Sequence, residues 1–170
     1  AEAESILRDL KLLEVLRAYG DARVVGSVAL DLVVKPDIDV HVLTRTDDLL
    51  SVADGVYHSL LTQGGIQHVR ISDYRGRGGL KVGVDSYPGR LADWSIDIWV
   101  TNRVETTGFA LVEQLNRQLT DGQRTSILQI KKALHDKGRL RDGLSAQVYL
   151  AVVNHGVASI ADFESQVKGG

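Results

Sequence analysis

The segment from Asp37 to Val42 constrains the fold more than any other part of this chain. Its residues alternate strictly between polar and apolar side chains, so that Asp37, Asp39 and His41 share one face and the apolar residues share the other. An alternation of period two is typical of a β-strand with one buried face. Side chains two residues apart on a strand point the same way, so the strand would hold two carboxylates side by side.

A second short motif precedes this strand. Residues 23–25 are predicted to form a short apolar strand that runs into Gly26-Ser27. Residues 28–34 are predicted to form a short helix that ends before Pro36, with Ser27 as its N-cap. Backbone N–H groups at a helix N-terminus attract phosphate. A glycine also lets a phosphate approach the backbone closely. We therefore expect Gly26 and Ser27 to bind a phosphate group.

A third carboxylate from a neighbouring strand would join the pair, and two residues are candidates. Asp97 lies on the alternating segment 94–100, and Asp85 lies on the alternating segment 80–85. Two carboxylates about 4 Å apart repel by roughly 4 kcal/mol at an effective dielectric constant near 20, and a divalent cation removes that repulsion. Oxygen ligands beside phosphates favour Mg²⁺. Two such ions would stabilise both the attacking and the leaving oxygen of a displacement at phosphorus.

The remaining pattern predicts an α+β fold, in which helices flank a twisted mixed β-sheet and a helical C-terminal segment follows. Helices are expected from residue 4 to 19 and from about 47 to 63, and strands over 66–74 and 80–86 are joined by a hairpin at 75–79. After residue 106 the strand pattern stops, and four helices are expected over 109–119, 124–135, 144–154 and 160–167. We expect a catalytic core over residues 1–105 and a helical segment over 106–170.

Composition excludes several classes of protein. The 170 residues, 44% of them apolar, suffice for one sizeable core, and the absence of cysteine rules out disulfides and thiolate metal sites. No apolar run approaches the roughly 20 residues that span a bilayer, and no secretory leader is visible at Ala1, so we expect a cytoplasmic protein without a membrane partner. The net charge of −2 gives no general attraction to nucleic acid.

Together these motifs resemble the defining pattern of the DNA polymerase β-like nucleotidyltransferases: a strand, Gly-Ser, a short helix, then Asp-hydrophobic-Asp and a later hydrophobic-Asp-hydrophobic. The resemblance covers roughly residues 20–100, and the matching residues are Gly26, Ser27, Asp37, Asp39 and Asp97. It favours Asp97 over Asp85 because Ile96 and Ile98 flank Asp97 directly. Asp85 stays open as the alternative.

The resemblance implies a role for each of these residues. Gly26 and Ser27 would contact the triphosphate of a nucleoside triphosphate, and Asp37 and Asp39 would hold two Mg²⁺ ions. Asp97 would help to hold the catalytic ion and take the proton of the acceptor hydroxyl. A lysine from the helical segment would reach the triphosphate, which makes Lys131 or Lys132 a candidate in the basic stretch 131–141; a solvated helix face is the alternative for that stretch.

The implied activity is transfer of a nucleoside monophosphate from a nucleoside triphosphate to a hydroxyl acceptor, with release of pyrophosphate. The small size and helical tail look more like minimal and antibiotic-modifying members than like polymerases, so a small-molecule acceptor is expected and nucleic acid is not. Alternatives are a protein- or tRNA-modifying member of a toxin–antitoxin pair, a catalytically inactive binding protein, and a structural domain with chance motifs. We expect Trp94 in the core, Trp99 at the border of the site, and His41 as a neutral surface residue.

Overall fold

Five strands form one mixed sheet in the computed structural model, which describes residues 2–141 and 143–168. The strands are β1 (Asp21–Val25), β2 (Asp37–Leu43), β3 (Val69–Tyr74), β4 (Gly79–Tyr87) and β5 (Trp94–Thr101), and their order across the sheet is β1-β2-β5-β4-β3. Strands β2 and β5 pair in parallel, and the other three pairs are antiparallel.

Eight helices surround and follow the sheet in the described part of the chain. They are α1 (Glu2–Asp9), α2 (Leu12–Arg17), α3 (Gly26–Leu30), α4 (Leu49–Leu61), α5 (Phe109–Gln118), α6 (Asp121–Asp136), α7 (Leu144–His155) and α8 (Ile160–Lys168). Short 3₁₀ turns lie at Arg75–Arg77 and Val104–Thr106. The predicted α+β fold, with a mixed sheet flanked by helices, is confirmed, and the predicted helical C-terminal segment corresponds to α5–α8.

Alternation along β2 divides its side chains between a core and a site. The apolar residues Ile38, Val40 and Val42 are fully buried, whereas the polar residues between them are half-buried on the opposite face. The apolar face packs against α1, α2 and α4 in the first hydrophobic cluster. The polar face is therefore the side of the sheet on which a functional site can form.

Three local predictions about helices were wrong, and in the first two the backbone adopts a left-handed conformation at a non-glycine residue. The first helix is divided, because Lys11 has a φ of 46° between α1 and α2. Helix α3 ends at Leu30, where Asp31 has a φ of 55°, well before Pro36. The N-cap of α3 is Val25, and Ser27 lies inside the helix, so Ser27 is not a cap.

A second hydrophobic cluster lies among the C-terminal helices. Its buried residues come from α5 to α8 and their connections, together with Leu30 and Leu32 from the segment around α3. A boundary near residue 105 remains a prediction, and these two leucines show that the early part of the chain contributes directly to the packing of the helical segment.

No single helix in the described part of the chain is long and apolar enough to cross a bilayer. Helix α7 and the Ile160–Gln166 part of α8 reach that length and apolarity only when taken together, with a bend of 95° between them.

Core packing around β5 gives the first prediction. Ile98 is 0% exposed and pairs with Val40 on β2 and Val82 on β4. We expect Ile98→Ala to lower the free energy of unfolding by about 2–5 kcal/mol in urea titrations, because it leaves a cavity at the centre of the sheet. Leu91, which is 97% exposed, provides the control, and Leu91→Ala should change that energy by no more than about 0.5 kcal/mol. Equal effects of the two substitutions would contradict this placement of the core.

Candidate active site

Parallel pairing of β2 and β5 places Asp39 and Asp97 side by side. The two residues are register partners, and Asp37 lies opposite Ser95 two residues earlier. All three aspartates line one pocket of about 520 Å³ on the polar face of the sheet. The structure thus brings together the three carboxylates that the sequence pattern singled out.

Gly26 lies directly against the carboxylate of Asp39. It has a φ of 63°, and a Cβ atom at this position would lie 2.7 Å from Oδ2 of Asp39. A side chain here would both strain the backbone and collide with the carboxylate. Ser27 is buried and lines the pocket beside Gly26. The glycine is therefore required by the close approach of Asp39, which ties the Gly-Ser motif to the carboxylates.

Asp85, the rival third carboxylate, lies outside the pocket. It is exposed near the end of β4, and its carboxylate forms an ion pair of 2.9 Å with Arg70. The strand pairing explains the difference, because Gly83 of β4 is the partner of Asp97 and Asp85 lies two residues further along, where the ladder is irregular.

Lysines lie beside two of the pocket carboxylates. Lys35 Nζ is 3.5 Å from Oδ2 of Asp37, and Lys81 Nζ donates a hydrogen bond of 3.0 Å to Oδ2 of Asp97. Burial raises the pKa of Asp37 above its usual range, Lys35 opposes that rise, and the charge of Asp97 adds to it. Clustering of like charges is thus partly offset by cations within the protein.

Lys131 and Lys132, the two lysines considered for the triphosphate, differ sharply in the structure. Lys131 is 2% exposed, lines the pocket, and donates hydrogen bonds to the carbonyl oxygen of Leu32 at 2.6 Å and to the hydroxyl of Tyr149 at 3.2 Å. Lys132 is exposed and pairs with Asp136 at 3.0 Å. Adjacent helical residues lie about 100° apart around the axis, so only one of the two faces the pocket.

Burial also changes the ionisation of Lys131 and Tyr149. It lowers the pKa of Lys131 to about 8, although Asp37 and Asp39 favour the charged form. It raises the pKa of Tyr149, so the phenol keeps its proton over the ordinary pH range. The lysine can therefore gain or lose its charge near pH 8.

His41 is half-buried and links β2 to the helical segment. Its Nδ1 accepts a hydrogen bond of 3.0 Å from the backbone N–H of Gly108, immediately before α5. Burial lowers the pKa of His41 to about 4, so the ring is neutral at pH 7. The expectation of a neutral histidine agrees with this pKa, but the residue lines the pocket and is not a simple surface side chain.

Two aromatic side chains and an arginine also line the pocket. They are Tyr74, Trp99 and Arg77, whereas Trp94 is buried in the first hydrophobic cluster.

The sequence did not indicate Lys35, Tyr74 and Tyr149 as pocket residues. Lys35 lies only two residues before Asp37 and could have been considered with it, whereas Tyr74 and Tyr149 reach the pocket through packing between elements far apart in the chain.

The pocket carboxylates fit a hard divalent cation by their chemistry. They offer oxygen ligands alone, as Mg²⁺ prefers. Among residues 2–141 and 143–168, however, no three histidine, aspartate or glutamate side chains stand close enough to form a ready-made metal site. The lysines beside Asp37 and Asp97 occupy part of the space near these oxygens. Metal binding by Asp37, Asp39 and Asp97 stays a prediction.

Comparisons with known proteins define the class of fold. No family model and no curated protein matches the sequence. Solved structures do match. One is a cytoplasmic RNA terminal U-transferase, with a TM-score of 0.62 and 19% identity, where the match covers 89% of this chain and 46% of that one. Another is the Cid1 poly(U) polymerase bound to MgGTP, with a TM-score of 0.64 and 18% identity, where the match covers 89% of this chain and 48% of that one. A third is the GLD-2/RNP-8 complex, with a TM-score of 0.64 and 12% identity, where the match covers 89% of this chain and 53% of that one.

The fold is that of the DNA polymerase β-like nucleotidyltransferases, the superfamily to which these structures belong. The resemblance predicted from the sequence is thereby confirmed at the level of the fold. The chain spans about half the length of the structures it matches.

A substitution at Gly26 tests the link between the two motifs. We expect Gly26→Ala to lower the free energy of unfolding by about 1–3 kcal/mol, because a non-glycine residue is strained at this φ. The added methyl group should also displace the Asp39 carboxylate, which a crystal structure of the variant would show. Gly122→Ala is the matched control, since nothing lies within 4 Å of its Cβ position. An unmoved Asp39 and unchanged stability in Gly26→Ala would contradict the close approach.

The lowered pKa of Lys131 predicts a pH dependence of stability. Between pH 8 and about 10, the unfolded chain keeps a proton on this lysine that the folded protein has released, so stability from Lys131 rises with pH. Relative to Lys131→Met, the wild type should gain up to about 1.4 kcal/mol per pH unit across this window and nothing below it. Urea titrations at a series of pH values measure this difference. A constant difference up to pH 10 would show that Lys131 has an ordinary pKa.

Proposed function

We propose that this protein is a metal-dependent nucleotidyltransferase that moves a nucleoside monophosphate from a nucleoside triphosphate to a hydroxyl group. The observation that carries the proposal is the meeting of Gly26-Ser27 with three carboxylates in one pocket. This combination matches the needs of the reaction, because a triphosphate and its cations must be held together beside a group that accepts a proton.

We propose two Mg²⁺ ions, both held by Asp37 and Asp39. Asp97 would help to hold the ion nearest the acceptor. When bound, Mg²⁺ would supply positive charge that stabilises the triphosphate and its transition state. The lysines beside Asp37 and Asp97 would have to release these carboxylates, at least in part. In the absence of metal these lysines serve as counter-ions, which explains how the cluster of carboxylates is tolerated.

Gly26, Ser27 and Lys131 would bind the triphosphate. The backbone N–H groups at the start of α3 and the hydroxyl of Ser27 can donate hydrogen bonds to phosphate oxygens. Lys131 is already held in the pocket by Leu32 and Tyr149, and it would turn its ammonium group towards the phosphates. Lys132 has no part in this proposal, because it is exposed and pairs with Asp136.

The chemical step is an in-line displacement at the α-phosphorus. The acceptor oxygen forms a bond to this phosphorus, and the bond between the phosphorus and the oxygen bridging to the β-phosphate breaks, so that pyrophosphate leaves. The hydroxyl proton would pass to the carboxylate of Asp97, which Lys81 holds in the absence of metal and would release when the metal–nucleotide complex binds. Positioning and electrostatic stabilisation would supply most of the rate.

A hydroxyl at the end of a polynucleotide is the acceptor that we propose, in place of the small molecule expected from chain size. The similar structures are described as an RNA terminal U-transferase and a poly(U) polymerase, which act on RNA. No finding supports a small-molecule acceptor.

Asp39→Asn tests whether the carboxylates hold a metal–nucleotide complex. Addition of Mg²⁺ and a nucleoside triphosphate at about 100 times Kd should raise the melting temperature of the wild type by about 5–10 °C. The shift should largely disappear in Asp39→Asn, and release of pyrophosphate should stop. Without ligand, the variant should be as stable as the wild type or more so, because one of three clustered anions is removed.

Asp85→Asn is the matched control, since it removes an exposed carboxylate outside the pocket. It should keep both the ligand shift and the activity. Equal ligand shifts in Asp39→Asn and the wild type would exclude Asp39 as a metal ligand. A ligand shift without any pyrophosphate release, tested with each nucleoside triphosphate and an RNA oligonucleotide, would favour a catalytically inactive binding protein.

A further inference from the structure

We propose that Tyr74, Arg77 and Trp99 form the subsite for the last nucleotide of a single-stranded polynucleotide acceptor. The two aromatic rings would stack against the base of this nucleotide, and Arg77 would bind the phosphate that joins it to the rest of the strand. The inference rests on the proposed function, because it assigns the acceptor to one side of the same pocket.

The position of Trp99 favours this role. It follows Asp97 by two residues on β5 and faces the same side of the sheet, about 6.6 Å further along the strand. The ring centroids of Tyr74 and Trp99 are 6.2 Å apart, with a tilt of 39° between the planes. A nucleotide whose base contacts these rings would have its sugar hydroxyl near Asp97, where the reaction requires it.

The indole of Trp99 is fixed by the strand beneath it. A Cβ atom on Gly79 would lie 2.5 Å from the indole ring, so the ring lies directly on the backbone of β4. Its Nε1 points to Oγ1 of Thr106 at 3.4 Å. A ring supported in this way offers a rigid stacking surface, and little conformational freedom is lost when a base binds to it.

Arg77 differs from the other arginines of the β3–β4 hairpin. Arg70 pairs with Asp85 at 2.9 Å, and Arg75 pairs with Asp73 at 2.7 Å. The guanidinium of Arg77 lies 5.6 Å from the ring centroid of Tyr74, and no described carboxylate pairs with it. Arg77 is therefore the hairpin arginine whose charge is available to a phosphate at the pocket.

The order of the strands places this subsite opposite the proposed triphosphate site. Gly26 follows β1 at one edge of the sheet, the carboxylates lie on β2 and β5, and Tyr74 ends β3 at the other edge. An in-line displacement requires the acceptor and the leaving pyrophosphate on opposite sides of the α-phosphorus. Tyr74, Arg77 and Trp99 therefore lie on the side from which the acceptor must approach.

This chemistry suits a single strand. Aromatic stacking combined with positive charge is the usual way in which proteins bind single-stranded nucleic acid, and stacking tolerates any base because every base has a π-face. A double helix would keep its terminal base stacked on its neighbour. The subsite would therefore accept unpaired ends with weak preference for sequence.

Variants of Tyr74 and Arg77 test the proposal with a short single-stranded oligoadenylate RNA as acceptor. Tyr74→Leu and Arg77→Ala should each raise KM for this RNA by about 5- to 100-fold, while the melting shift caused by Mg²⁺ and nucleoside triphosphate stays as in the wild type. Arg77→Ala should also reduce the slope of log Kd against log salt concentration by about 0.7. Arg75→Ala is the matched control and should leave KM and slope unchanged.

Tryptophan fluorescence gives a second measurement that needs no turnover. Trp94→Phe leaves Trp99 as the single tryptophan, since the chain has two. The oligoadenylate without nucleoside triphosphate should quench this fluorescence, and Tyr74→Leu in the same background should weaken the binding.

Quenching by nucleoside triphosphate alone and not by RNA would overturn the proposal, because the rings would then bind the base of the donor. Unchanged KM and Kd for RNA in Tyr74→Leu and Arg77→Ala would overturn it as well. The failure of the proposed function has a different signature, namely no melting shift with any Mg²⁺–nucleoside triphosphate.

Discussion

Parallel pairing of β2 with β5 is the constraint on which the rest of this structure depends. Its register sets Asp39 beside Asp97, and the same ladder buries Val40 beside Ile98 on the other face. Two adjacent carboxylates repel each other in the pocket, whereas burial of the apolar partners stabilises the pairing. The sheet can therefore hold the carboxylates together, and Lys81 beside Asp97 reduces the cost further.

Other contacts transmit this arrangement to the rest of the pocket. Gly26 lies against Asp39, so the Gly-Ser motif and β2 form one unit. Lys131 of α6 bonds to the Leu32 carbonyl, and His41 of β2 accepts a hydrogen bond from Gly108 before α5. The helical segment is thereby bonded to β2 at His41 and to the segment between α3 and β2 at Leu32, and Lys131 brings it into the pocket.

Local patterns predicted the parts of this site that depend on a single strand. Alternation placed Asp37 and Asp39 on one face, but it favoured neither Asp85 nor Asp97, since both lie on alternating strands. The register between β4 and β5 separates those two, and it is set by contacts distant in sequence. The same reason explains why Lys131 and Lys132 were not distinguished: the pocket-facing side of α6 depends on how the helix packs.

The most direct test of the account is a crystal structure with Mg²⁺ and a non-hydrolysable nucleoside triphosphate. We expect Mg²⁺ about 2.1 Å from carboxylate oxygens of Asp37 and Asp39, with Asp97 beside it. We also expect the triphosphate to lie against Gly26 and Ser27, and the lysines to be turned away from the carboxylates. A nucleotide bound elsewhere, or a pocket in which Lys35 and Lys81 still pair with Asp37 and Asp97 and no metal is bound, would contradict it.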